Sequence, residues 1–159
     1  MVNILDSLYY QLKKDEIEKA STILKMIDIE TIFQNLSKLC WNYNIQWETI
    51  IKTNYLLKLK LSGDNQVVMF KYHKTDMVTL GQIDLFLNEL DKTKSNKGFY
   101  ITTGKFERIN RKNLKVNLKK KDLILEDNFI FIKNNPGLIG RAKDDSMIKK
   151  INFYKYLPN

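Results

Sequence analysis

The chain has 159 residues, 43% of them hydrophobic and 11% aromatic, and it carries a formal net charge of +9. That length suits one domain with its own core, and the composition excludes a disordered chain. The charge excess points to a polyanionic partner, to an acidic protein surface, or to nothing more than a solvated lysine-rich exterior. A lone Cys40 and a lone His73 exclude an internal disulfide and a tetrahedral zinc site. No apolar run approaches the ~20 residues of a membrane span, and the N-terminus lacks the basic-then-apolar pattern of a signal peptide, so a soluble, intracellular protein is expected.

Ile4, Leu5, Leu8, Tyr9 and Leu12 recur at helical spacing, and Ile17, Ala20, Ile23, Leu24 and Ile27 continue the pattern after an acidic break at Asp15 and Glu16. This predicts a helical N-terminal extension over residues 1–28, of mixed charge, suited to packing on its own domain, on a second copy or on a protein partner. A second helix is expected from about Glu30 to Tyr43, with Ile32, Phe33, Leu36, Leu39 and Cys40 on one stripe. Ile45 to Ile51 resembles a short strand. Tyr55 to Leu61 alternates Leu57, Leu59 and Leu61 with Lys58 and Lys60, the pattern of a half-exposed strand. Ser62 to Asn65 supplies a turn, which makes this strand and Gln66 to Tyr72 an antiparallel hairpin.

The run from Gln66 to Tyr72 is apolar on both faces through Val67, Val68, Met69 and Phe70, as a strand in the middle of a sheet would be. Lys71 at its end is the anomaly. Thr79 with Gln82 three residues on is a capping-box signature, and Leu80, Ile83, Leu87 and Leu90 mark one helical face. Gly98 to Thr103 is β-rich again, so strand, helix and strand form a crossover that sets this strand parallel to the central one, with a right-handed connection. A short basic helix from Glu107 to Asn113 and two strands, Leu123 to Leu125 and Phe129 to Lys133, should follow. Asn134 to Gly137 closes the core at about residue 135. The tail, 136–159, carries a weak helix over Ser146 to Ile151 and an aromatic end, and is expected to pack on the core.

The order of these elements, together with Gly98-Phe99-Tyr100-Ile101-Thr102-Thr103-Gly104-Lys105-Phe106, resembles the Mrr-type branch of the PD-(D/E)xK restriction endonuclease-like family. The resemblance covers roughly Phe33 to Lys133 and implies an α/β fold, a central mixed sheet flanked by helices. It also implies a metal-dependent nuclease centre: an aspartate on the first hairpin strand, an acceptor two residues before a lysine on the second, and often a glutamate on the first helix. The carboxylates would hold a divalent cation while the lysine attends the nucleophile. Carried over position by position, only Lys71 matches. The acceptor position holds Met69, the first-strand position falls near Leu57 or Lys58, and the helix position corresponds to Gln34. Asp64 and Asp76 are poor substitutes, one belonging to the turn and the other lying beyond the strand. The resemblance therefore implies a nuclease fold with a vestigial Lys71 and no metal ligands, and magnesium enters only if carboxylates have migrated and the chain is a divergent endonuclease.

The positive charge is concentrated between Lys92 and Lys121, where Glu107 is the single acid. Lys97, Lys105, Arg108, Arg111, Lys112, Lys115, Lys119, Lys120 and Lys121 are the candidate nucleic-acid contacts. Most of them follow the Thr-Thr-Gly turn at a strand end where α/β proteins tend to bind ligands. The sequence thus predicts a catalytically inactive nuclease-like domain over 29–135 that binds nucleic acid, DNA before RNA, as a non-cutting member of an assembly. A divergent nuclease and a protein-assembly module are the alternatives. A Cys40 and His73 nucleophilic pair is rejected because Cys40 reads as core.

Overall fold

A computed structural model describes residues 3–108, 122–138 and 151–158. Its centre is a five-stranded sheet built from β1 (Gln46–Lys52), β2 (Leu56–Gly63), β3 (Gln66–His73), β5 (Lys97–Thr102) and β7 (Asp122–Glu126), in the order β1-β2-β3-β5-β7. The first three strands are antiparallel, and β3, β5 and β7 are parallel. β3 is therefore the middle strand, as its two-sided apolar character predicts. Asp64 and Asn65 carry the positive φ values, 45° and 64°, of the two-residue hairpin that joins β2 to β3.

Side chains alternate across the sheet and so divide the core in two. Val68, Phe70 and Tyr72 of β3, with Leu57, Leu59 and Leu61 of β2 and Phe99 and Ile101 of β5, meet α1 (Ile4–Met26), α2 (Ile29–Asn42) and α4 (Asn128–Asn134). Met69 and Tyr100 project from the other face into a smaller cluster with Ile83, Phe86, Leu87 and Leu90 of α3 (Leu80–Lys92). The capping box of α3 is present, with Thr79 Oγ1 accepting from the Gln82 amide and Gln82 Oε1 accepting from the Thr79 amide. Cys40 is fully buried beneath the first face, where burial pushes its thiol up to about 11, and the sheet separates it from His73.

Four details differ from the sequence reading. The N-terminal segment is one continuous helix, because Asp15 and Glu16 lie on its exposed side, where carboxylates do not interrupt a helix, and Glu16 pairs with Lys13. Its second half is core, through Ile17, Ala20 and Leu24, and its first half docks by Tyr9 and Tyr10 on Phe129 and by Asp6 on Lys133. Phe129 to Lys133 is helical, not a strand: Asp127, between the two expected strands, accepts from the Ile130 amide as an N-cap. Lys105–Phe106 forms a short strand, β6, parallel to β4 (Met77–Val78), and Glu107 and Arg108 after it are not helical. The rest of the predicted basic helix, and the predicted helix over Ser146 to Ile151, lie outside the described residues.

The aromatic tail is fastened to the sheet. Tyr156 packs edge-on against Phe70 and Phe99, and its hydroxyl donates to Glu126 Oε2 at 2.9 Å, while Lys155 Nζ reaches Oε1 of the same buried carboxylate at 2.7 Å. Asn135, also buried, accepts from the Asn152 amide and donates to the Phe131 carbonyl.

Candidate functional site

The sheet face covered by α3 carries the groups with chemistry. On an antiparallel pair, register partners project to the same side. Lys58 of β2 is the register partner of Lys71 of β3, so the two ammonium-bearing side chains share this face. Both are buried, Lys58 to 5% and Lys71 to 8% exposure. The half-exposed pattern expected of β2 therefore fails at Lys58, because α3 lies over the strand and supplies a partner: Lys58 Nζ meets Glu89 Oε2 at 2.6 Å.

Gly98 explains how α3 comes close enough. A Cβ at that position would stand 2.8 Å from both Leu90 methyls and 3.0 Å from the Phe86 ring, so the absence of a side chain lets the helix settle on the sheet. Glu89, next to Leu90, is thereby brought to β2.

Lys71 has no such partner. Among the described residues no carboxylate lies within ion-pair distance of its amine, which instead sits 4.5 Å from the centroid of the Tyr100 ring and 5.5 Å from that of Phe86. These are cation–π distances. Burial first, and the like charge of Lys58 second, push its pKa down to about 8 against the opposing pull of Glu89. His73, next along the same face of β3, bonds through Nδ1 to the Tyr100 hydroxyl at 2.9 Å, and its pKa is lowered by burial and then by Lys71. Tyr100 is pushed up by burial and by Glu89, which keeps the phenol neutral.

A divalent cation does not fit these donors. Met69 is fully buried on this face and offers a soft thioether; Lys58 and Lys71 offer positive charge; and Glu89, the carboxylate that reaches the cluster, is held by Lys58. Gln34 is exposed on α2, which packs on the other face of the sheet, and donates to Glu30. Asp64 occupies the hairpin turn, and the side chain of Asp76 is solvent-exposed with Lys25 3.8 Å away. Sequence reasoning found Lys71 but missed Lys58, Glu89, Tyr100 and His73 as its neighbours. The hairpin register was the available signal for Lys58, since the turn at Asp64-Asn65 already fixes which residues face each other.

The Thr-Thr-Gly turn is a backbone junction. Thr102 Oγ1 donates to the Thr75 carbonyl, the Gly104 amide donates to Thr102 Oγ1, and the Lys105 amide donates to the Asp76 carbonyl. A Cβ on Gly104 would lie 2.2 Å from the Thr75 carbonyl oxygen and 2.3 Å from that of Asp76, so only glycine allows the two segments to touch. Beyond it Lys105 and Arg108 are exposed, while Glu107 turns back to accept from the Leu80 amide at the start of α3. Lys97 stands at the opposite end of β5, its amine 5.1 Å from the Phe99 ring, so it does not join Lys105 and Arg108 in one patch. Arg111, Lys112, Lys115, Lys119, Lys120 and Lys121 lie outside the described residues.

No family model matches the chain, and no curated protein does. Among solved structures, the MspJI restriction endonuclease in complex with a 27-mer oligonucleotide is similar at a TM-score of 0.36 and 10% identity, over 97% of this chain and 36% of that one. The chain thus spans little more than a third of that protein's length. No helix of the described residues is long and apolar enough to cross a membrane.

Proposed function

We propose that the chain is a restriction endonuclease-like domain of the Mrr type whose nuclease centre has given way to a buried lysine cluster, and that it binds nucleic acid, DNA before RNA, without cutting it. The observation that carries this reading is Lys58. Of the two residues near which the resemblance puts a metal-binding aspartate, Leu57 lies on the opposite face of the sheet, and Lys58, in register with Lys71 and ion-paired with Glu89, brings a positive charge where a cation would need an anion. The hairpin, the α3 crossover and the parallel β5 carrying Gly98 to Thr103 support the fold assignment.

Binding falls to the basic stretch that begins at Lys105. Lysine and arginine neutralise phosphates and release counterions, which gives affinity with little base preference. Glu107, the one acid in the stretch, accepts from the Leu80 amide at the start of α3, and Lys105 and Arg108 on either side of it are exposed. The test has two arms. A short duplex should bind with an affinity that falls steeply with salt, and supercoiled plasmid should survive incubation in magnesium or manganese. Absence of binding at low salt removes the nucleic-acid role. Cleavage that is retained in the purified chain but lost in Lys71→Ala restores the nuclease.

A second role, in assembly, rests on α1. Its first three turns expose Ile4, Leu5, Leu8 and Leu12, a contiguous apolar stripe. Association with another copy or with a protein subunit would cover it, and sedimentation of a Leu5→Gln, Leu8→Gln, Leu12→Gln variant against the parent chain tests self-association.

A further inference from the structure

We infer that Lys71 is an activated amine nucleophile, able to condense with small aldehydes at neutral pH, and that its burial and the neighbouring Lys58 are what activate it. This does not depend on the nucleic-acid reading. It follows from the geometry of the cluster.

Two circumstances make a lysine amine reactive: a desolvated setting and a neighbouring cation, each of which disfavours the protonated form. Lys71 has both. Its side chain is buried, with Lys58 directly across the hairpin, and these two outweigh the Phe86 and Tyr100 rings, whose cation–π contact favours the protonated form. Glu89 could have cancelled the effect by pairing with Lys71, but its Oε2 is engaged by Lys58 at 2.6 Å. Among the described residues, the charged and titratable groups that face the amine are thus Lys58 from β2, Glu89 from α3, Tyr100 from β5 and His73 from its own strand. The depressed pKa, about 8, agrees with this arrangement.

In the reaction, the nitrogen lone pair attacks the carbonyl carbon, the C=O π electrons pass to oxygen, and transfer of a proton from the nitrogen to that oxygen gives a carbinolamine. Loss of water from it forms the C=N bond of an imine. The ring beneath the amine carries the Tyr100 hydroxyl, hydrogen-bonded to His73, and this pair is suited to carry the protons exchanged in the two steps. The 8% exposure of Lys71 restricts the partner to a compact aldehyde.

The experiment is reductive methylation of the folded full chain with limiting formaldehyde and cyanoborohydride at pH 7, followed by peptide mass mapping. Cyanoborohydride supplies the hydride that traps the imine. A lysine of pKa near 8 holds on the order of 200-fold more free amine at pH 7 than an ordinary one, so Lys71 should be modified at least about tenfold faster than exposed Lys38 and Lys94. Modification of Lys71 no faster than of those two overturns the inference. Two variants add a sign test: Lys58→Met should slow labelling of Lys71 at pH 7 by freeing Glu89 for it, and Glu89→Gln should speed it. Rates at Lys71 unmoved by both, in variants that keep the parent's circular dichroism, also overturn it. The comparison within the parent chain decides the matter even if neither variant folds.

Discussion

Lys58 and Lys71 stand as register partners on one face of the central hairpin, and among the described residues only Lys58 has a carboxylate to meet it. A pair of like charges held this closely costs stability unless one of them is compensated. Glu89 compensates Lys58, and in doing so ties α3 to β2.

Breaking that tie should be expensive. Glu89→Gln leaves a nearly buried ammonium without its counter-charge, and a loss of about 2–4 kcal/mol in unfolding free energy is expected, toward the lower side because Glu89 is partly exposed. Lys58→Met with Glu89→Leu removes both charges together and should recover most of the loss. Urea denaturation of the three proteins measures this, and a double variant no better than Glu89→Gln would contradict it.

The depressed pKa of Lys71 makes a prediction in alkaline solution. The folded chain releases this proton near pH 8, whereas the unfolded chain holds it to about pH 10.4. Between these values the unfolded state binds more protons, so the contribution of Lys71 to stability rises with pH. Below pH 8 its cost is present in full. The parent chain should therefore gain about 1–2 kcal/mol relative to Lys71→Met between pH 7.5 and 9.5, after allowance for solvent screening. Urea midpoints at the two pH values give the difference directly.

The two glycines of the β5 region should respond unequally to alanine. At Gly98 the new methyl meets the ends of Leu90 and Phe86, which can move, for about 1–3 kcal/mol. At Gly104 it meets the backbone of Thr75 and Asp76, which cannot yield without losing the β4 and β6 pairing, so about 3 kcal/mol or more is expected. Thermal melts of the two variants rank them; the reverse order would mean that the Gly104 junction relaxes freely.

Nucleic-acid affinity should track position as well as charge. Replacing Lys105, Arg108, Arg111 and Lys112 by Gln should flatten the slope of log affinity against log salt by about 2–4, whereas Lys97→Gln, at the far end of β5, should change it by less than about 1. Fluorescence anisotropy with a labelled duplex over a salt series reads both. Equal effects would place the contact surface elsewhere.

Much of this architecture is legible in the residues. The apolar run at Val67 to Phe70 marks the central strand, Asp64-Asn65 marks the hairpin, and Thr79 with Gln82 marks the start of α3 to the residue. Short elements were harder. Phe129 to Lys133 is apolar at every position but the last, so periodicity cannot separate strand from helix, and only the Asp127 cap does. Lys105–Phe106 is too short to carry a pattern, and its pairing with Met77–Val78 depends on a backbone approach that only Gly104 permits. The lysine cluster was half visible. Met69 and Lys71 could be placed by counting along one strand, but Glu89 reaches the site from a helix whose seating depends on the missing side chain of Gly98.

The contact of Gly104 with Thr75 and Asp76 also settles where the positively charged part of the chain begins. Lys105 is hydrogen-bonded by its amide to Asp76, and Glu107 by its carboxylate and its own amide to Leu80 and Val78. The root of the basic stretch is thus anchored on both sides before the first exposed arginine. A polyanion bound at Arg108, as proposed above, would therefore pull against a fixed mooring, the β4 and β6 pair and the α3 N-terminus, to which Glu107 is bonded.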